Sequence, residues 1–219
     1  MSKTILPIDW TPIRHVVLDF GGVLYEIDHS APAKAFFDLG FTDFQKWFAH
    51  GHQYPIMDDL ECGRISDNMF LQALQSRCNP GTSLDDVKKA WNSILIGLRS
   101  NIMPVLTALK SQFDLVLFSN TNAIHAQFFE HQILDDLGRD FSNAFRQIIY
   151  SHRLGQRKPD AKAYLTLAKE LDLDASGTLF IDDTESNVIG AIHVGWQATL
   201  HNPKDRSLRQ LFADLGLKI

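Results

Sequence analysis

The chain has 219 residues, 45 % of them apolar and 21 % charged, a mix that excludes wholesale disorder. Its 26 Asp and Glu outnumber 21 Lys and Arg for a net charge of −5, which argues against nucleic acid as a partner, because phosphate backbones are met by clustered cations. No run of ~18 apolar residues is present to cross a membrane, and the opening Met1-Ser2-Lys3-Thr4-Ile5-Leu6-Pro7 lacks the apolar stretch of an export signal. Cys62 and Cys78 stand apart with no C-x-x-C pair, so a reduced, cytoplasmic compartment is expected. At ~150 residues per domain the length corresponds to about one and a half domains, that is, one domain with an insertion or one large domain.

In chain order, His15–Asp19 (HVVLD) predicts a first buried strand. From about Glu26 to Ile96 the pattern predicts helices only: Pro32–Leu39, Asp43–His50, Ser66–Cys78 and Leu84–Leu98, with Ser66 and Ser83 as N-caps and Gly40, Gly51 and Gly63 as stops. Helix and strand then alternate: helix Met103–Lys110, strand Asp114–Ser119, helix Ala123–Leu137, strand Gln147–Ser151, helix Ala161–Leu171, strand Gly177–Asp182, helix Ser186–Val194, and a weaker strand Gln197–His201. Such alternation predicts an α/β fold, a Rossmann-like doubly wound parallel sheet. The helical stretch is expected to be a cap inserted after the first strand, with residues 1–25 and 98–219 forming the core domain and 26–97 the cap. An insertion at that point sits over the carboxyl ends of the strands, where such sheets bind ligands.

The strand ends carry the chemistry. They are Asp19-Phe20-Gly21-Gly22-Val23-Leu24, then Ser119-Asn120-Thr121-Asn122, the loop Arg157-Lys158-Pro159-Asp160, and Asp182-Asp183-Thr184-Glu185-Ser186-Asn187. Taken singly, each reads as a turn, a helix N-cap or a basic surface loop. Taken together, Asp19, Asp182 and Asp183 share one sheet edge, and three carboxylates there repel one another unless a cation sits among them or their pKa values rise. All-oxygen ligation by few protein groups suits Mg²⁺, which shares its coordination with waters and substrate phosphate. Ser119 and Lys158 add a hydroxyl and a positive charge for phosphate oxygens, completing the parts of a phosphoryl-transfer site.

These four segments, in this order and with a helical insertion after the first, resemble the haloacid-dehalogenase-like hydrolase superfamily over essentially the whole chain. Asp-x-Gly-Gly-Val-Leu from Asp19, Gly63-Arg64-Ile65-Ser66, Ser119-Asn120-Thr121-Asn122 and Asp182-Asp183-x-x-x-Asn187 resemble a subgroup that contains bacterial glucose-1-phosphate phosphatases and the N-terminal phosphatase domain of soluble epoxide hydrolases. The resemblance implies an Mg²⁺-dependent phosphatase acting on a small phosphorylated metabolite, such as a hexose 1-phosphate. It implies that Asp19 is the nucleophile that forms an aspartyl-phosphate, and that Asp19, Asp182 and the Gly21 carbonyl hold the metal. Asp183 then orients a metal-bound water, Ser119 and the Asn120 N–H hold phosphoryl oxygens, and Lys158 offsets their charge.

Gly21 departs from the pattern, since most phosphatases of the superfamily carry an acid there that protonates the leaving oxygen. Three readings follow: an acidic leaving oxygen such as an anomeric one, a substitute acid with Glu26 and Asp28 as candidates, or a non-catalytic phosphate-binding or regulatory module. A 2-haloacid dehalogenase is a further alternative, set against by the Asp182-Asp183 pair and by the absence of an aromatic residue at Gly21. His50-Gly51-His52 reads as surface or packing rather than a metal site, because spacing places no third ligand. Phe36, Phe37, Phe41, Phe44, Trp47 and Phe48 read as cap interior. Glu61, Arg64, His52 and Tyr54 are polar candidates for contact with substrate.

Overall fold

A computed structural model describes residues 8–49 and 52–219. The chain begins with β1 (His15–Leu18), turns, and continues as β2 (Tyr25–Ile27) into α1 (Ala31–Asp38). A 3-10 turn at Phe44–Lys46 leads to β3 (Phe48–Ala49) and β4 (His52–Gln53), followed by α2 (Pro55–Glu61), α3 (Asp67–Gln75), α4 (Leu84–Asn92) and β5 (Leu95–Leu98). Regular alternation follows: α5 (Ile102–Lys110), β6 (Asp114–Ser119), α6 (Ala123–Leu137), α7 (Asp140–Asn143), β7 (Gln147–Tyr150), α8 (Ser151–Leu154), α9 (Ala161–Leu171), β8 (Thr178–Asp182), α10 (Glu185–His193), β9 (Gln197–Leu200) and α11 (Leu208–Asp214).

Five strands form one parallel sheet in the order β7-β6-β1-β8-β9. The predicted sheet strands and their helices agree with these elements to within one residue at each end. The central strands β1 and β8 are buried along their whole length, as their unbroken apolar runs require. Their side chains divide by alternation. Val16, Leu18, Leu115, Leu117, Leu179 and Ile181 face α5, α6 and α11 in one hydrophobic cluster. Val17, Val116, Phe118 and Phe180 face α9 and α10 in another, which makes the sheet doubly wound.

Between β2 and β5 lies a third cluster built on Phe36, Phe41, Phe44, Phe70 and Trp91. Helices α3 and α4 start where their serines predict: Ser66 accepts from the Met69 N–H, and Ser83 forms a capping box with Asp86. The expectation of helices alone is corrected here. Strands β2 and β5 pair antiparallel, with Tyr25 opposite Leu98 and Glu26 opposite Gly97. Leu95-Ile96-Gly97-Leu98 prolongs the apolar run of α4, and so short a run has no period that separates strand from helix. The expected helix Asp43–His50 is a 3-10 turn followed by the β3–β4 pair, and α2 was not anticipated. Of the His50-Gly51-His52 stretch, His50 and Gly51 lie outside the described residues.

Phe36 is completely buried and stacks on Phe44 at 4.2 Å between ring centroids. Phe36→Ala is expected to cost about 3–5 kcal/mol, read from the urea midpoint at unchanged m-value.

Candidate active site

Asp19 follows β1 directly, and its N–H donates to the Ile181 carbonyl at 2.9 Å, so the sheet ladder reaches the first acid. The chain then reverses: the Phe20 carbonyl accepts from the N–H groups of Leu24 and Tyr25, and the Gly22 N–H donates to the Tyr25 carbonyl. Gly22 has φ +82°, and a Cβ there would stand 1.9 Å from Oδ2 of Asp183. Only glycine lets this turn lie against that carboxylate.

Lys158 is 1 % exposed and occupies the centre. Its Nζ donates to Asp19 Oδ1 at 2.5 Å, to Asp182 Oδ2 at 2.7 Å and to the Phe118 carbonyl at 2.8 Å, using all three donors. The Phe118 and Phe180 rings flank it, each with its centroid 5.2 Å away. Burial alone would lower its pKa, but the Asp182 and Asp19 carboxylates outweigh that and hold the ammonium above its ordinary value. Burial pushes the Asp19 carboxyl well up; Lys158 opposes this, while Asp182 and Asp183 add to it. Asp182 is fully buried at the end of β8. Its Oδ1 accepts from the Thr184 N–H at 2.8 Å, and the Asn187 amide donates to both its oxygens at 3.1 Å.

Oxygens of Asp19, Asp182 and Asp183 lie within 4.8 Å of one another. Three carboxylates thus crowd around one ammonium at the carboxyl ends of the strands. A hard, all-oxygen donor set of this charge fits a divalent cation such as Mg²⁺.

Ser119 ends β6 and is buried. Asn120 has a task that its position alone did not signal: its side chain accepts from the Lys158 N–H at 2.9 Å and donates to the Lys158 carbonyl at 2.8 Å, pinning the loop that carries the lysine. A cavity of about 560 Å³ opens over these groups, and Asp19, Gly21, Ser119, Asn120, Lys158 and Asp183 all line it. Asp182 is not among the lining residues. Glu26 and Asp28 do not line this cavity; both are exposed, and Asp28 accepts from the N–H and hydroxyl of Ser30. Neither one stands where a substitute acid is needed.

Sequence reasoning read Arg157 as a basic loop residue. It reaches from the Lys158 loop to α2, pairing with Asp58 and with Glu61, the latter at 3.0 Å. Asp58 and Glu61 share one face of α2, and both line the cavity. The spacing of two acids three residues apart was the available signal. Of the other polar candidates, Arg64 pairs with Asp59 and Tyr54 stacks on Trp47, and neither lines the cavity; the His52 side chain lies outside the described residues. Gly63 (φ +65°) brings the end of α2 so close to α8 that a Cβ would stand 2.4 Å from the His152 carbonyl.

His125 also lines the cavity, stacked on Trp91 at 4.7 Å. Burial pushes its pKa down to about 4. Its Nδ1 lies 3.1 Å from the Asn122 amide nitrogen and its Nε2 3.3 Å from the Trp91 carbonyl. The neutral ring that satisfies both accepts at Nδ1 and donates at Nε2, which leaves no nitrogen for proton transfer to substrate.

Removing the ammonium strands its two acids. Lys158→Met is expected to cost about 3–5 kcal/mol of stability in buffer without divalent cations, measured by chemical denaturation.

Residues 13–195 match the haloacid dehalogenase-like hydrolase family. A D-ribitol-5-phosphate phosphatase of Bacteroides thetaiotaomicron is 28% identical over 183 residues, covering 84% of this chain and 87% of its own. A sesquiterpene phosphatase of Aspergillus oryzae is 27% identical over 191 residues, covering 84% of this chain and 88% of its own. Among solved structures, the magnesium complex of a haloacid dehalogenase family enzyme from Bacteroides thetaiotaomicron superposes with a TM-score of 0.82, at 23% identity over 92% of this chain and 99% of that one. With the family matched across most of its length, the chain belongs to the haloacid dehalogenase-like hydrolases.

Proposed function

We propose that the protein is an Mg²⁺-dependent phosphatase that hydrolyses a small phosphorylated metabolite of the sugar or polyol class, with a hexose 1-phosphate as the foremost candidate. The observation that carries this reading is the buried Lys158 held between Asp19 and Asp182 beneath an open cavity. The curated relatives support it, since one is named for a polyol phosphate and both are named phosphatases. Residues 26–97 are proposed as the cap and 1–25 with 98–219 as the core, supported by a hydrophobic cluster whose buried members, Ile124 of α6 apart, all lie between β2 and β5.

In this reading Asp19 attacks phosphorus with the carboxylate oxygen that Lys158 does not hold. The bond from phosphorus to the leaving oxygen breaks, that oxygen takes its proton from water, and a second water then attacks the aspartyl-phosphate to release inorganic phosphate and regenerate the carboxylate. Asp19, Asp182 and the Gly21 carbonyl would hold Mg²⁺, with Asp183 orienting a water on it. When bound, the ion supplies charge that lets a phosphate dianion approach the acids. Ser119 Oγ and the Asn120 N–H orient the phosphoryl oxygens, and Lys158 counters the charge that grows on them. Asp58, Glu61 and Arg157 offer the acceptors and donors that sugar or polyol hydroxyls need.

The leaving oxygen departs without a carboxylic acid at position 21. That favours substrates whose leaving oxygen is already acidic, as an anomeric one is. A Cβ at Gly21 would stand 3.3 Å from Ile27 Cδ1, the flexible end of a side chain, so an acid can be restored there.

The test is phosphate release from a panel of hexose 1-phosphates, ribitol 5-phosphate and prenyl phosphates in Mg²⁺. Asp19→Asn is expected to lower kcat by about 10³-fold or more, and EDTA to abolish turnover until Mg²⁺ is restored. Equal background rates for wild type and Asp19→Asn on every compound would leave a phosphate-binding module, and halide release from 2-haloacids would favour a dehalogenase. Gly21→Asp is expected to speed release from ordinary alkyl phosphates by about tenfold or more while changing glycosyl phosphates little; no gain on the alkyl esters would refute the missing-acid account.

A further inference from the structure

A second cavity, of about 570 Å³, lies between the segment that enters α5 and the loop from β9 to α11. Arg99, Arg206, Arg209 and His201 line it, and among the described residues no carboxylate does. In a chain of net charge −5, a wall with three guanidinium groups and no acid is an electrostatic exception.

Three of these side chains each carry a buried nitrogen with no hydrogen-bond partner: Nε of Arg99, Nε of Arg206 and Nδ1 of His201. Buried donors in folded proteins almost always have an acceptor, so two unmatched arginine Nε–H groups on one cavity wall, beside a His201 nitrogen that donates in one tautomer of the neutral ring, point to an acceptor that comes from outside the chain. His201 is 1 % exposed, and its pKa is pushed down to about 4, first by burial and then by the nearby charges of Arg206 and Arg99. Both guanidinium groups therefore act on the same buried point. Arg206 pairs with Asp214 at 2.8 Å and Arg209 donates to the Ile219 carbonyl, whereas Arg99 has no ion-pair partner among the described residues. α5 begins on the same wall at Ile102 with no side-chain cap from Asn101.

We propose that this cavity is a second ligand site, which binds a small metabolite through an oxyanion, phosphate or carboxylate, seated on Arg99, Arg206 and His201. The guanidinium fork matches the paired oxygens of either group. The volume exceeds that of a bare ion and falls within the ~300–1,000 Å³ usual for small-molecule sites. The wall is tied by two backbone bonds of 2.9 Å to the turn after Asp19 and to the end of β8, Arg99 N–H to the Leu24 carbonyl and His201 N–H to the Asp182 carbonyl. An occupant thus bears on both segments that carry the acid cluster.

The site is independent of the phosphatase reading, and its binding is measured without turnover. Inorganic phosphate, glucose 6-phosphate and citrate are titrated by calorimetry into the full chain without divalent cations, where the excess negative charge around Asp19 repels anions. The expected result is one bound oxyanion per chain, weakened at least about tenfold by Arg99→Gln, partly restored by Arg99→Lys and unaffected by Ser119→Ala. Preference for the phosphates over citrate, or the reverse, assigns the anion's source. Arg99→Gln is also expected to keep or raise the Tm in anion-free buffer, because it removes an unmatched buried donor. Absence of binding by all three probes would overturn the proposal. So would wild-type affinity in Arg99→Gln, loss of binding in Ser119→Ala, or a Tm fall in anion-free Arg99→Gln that marks the arginine as structural.

Discussion

One buried ammonium organises the site. Lys158 binds an acid at the end of β1, an acid at the end of β8 and the Phe118 carbonyl on β6, so it joins three adjacent strands at their carboxyl ends. Its donors are all used, and its own backbone is clasped on both sides by the Asn120 side chain. A lysine buried this fully is tolerable only because two carboxylates compensate its charge, and those carboxylates are tolerable only because of it. The turn after Asp19, the β6 terminus and the loop at Lys158 are therefore one electrostatic unit assembled from distant parts of the sequence.

That unit is deliberately unbalanced, with three carboxylates for one ammonium. Asn187 and the Thr184 N–H steady Asp182 by hydrogen bonding alone, which fixes orientation without removing charge. An excess of carboxylates of this kind is relieved by an entering cation. Opposite it, Arg157 pairs with both Asp58 and Glu61 and so holds α2 over the cavity, one cation against two acids.

The parallel sheet was legible because its strands are unbroken apolar runs bounded by turn residues and separated by helices with clear periods. The acid cluster was legible because each member stands at the end of such a run, so topology alone brings Asp19, Ser119 and Asp182 to one edge. What could not be read obeys different physics. The β2–β5 pair is three and four residues long, and its identity as strand comes from each finding the other across the insertion. The Asn120 clasp, the Arg157 bridge and the closed hydrogen bonding of His125 depend on where side chains point. Glu26 and Asp28 failed as site residues for the same reason: nearness in sequence to the Asp19 turn does not place a carboxylate in the cavity.

The β2–β5 ribbon has an evolutionary consequence. The chain leaves the sheet layer and returns to it side by side, with Glu26 opposite Gly97, so the ends of the insertion are fastened to each other before any of its helices is specified. The sheet then registers only a closed loop, whose entropic cost grows by just ~0.6 kcal/mol for each doubling of its length. Helices between those two strands can be lengthened, shortened or replaced while the strand ends that carry Asp19, Ser119 and Asp182 keep their spacing. A fold stapled in this way can change what it recognises without rebuilding where it reacts.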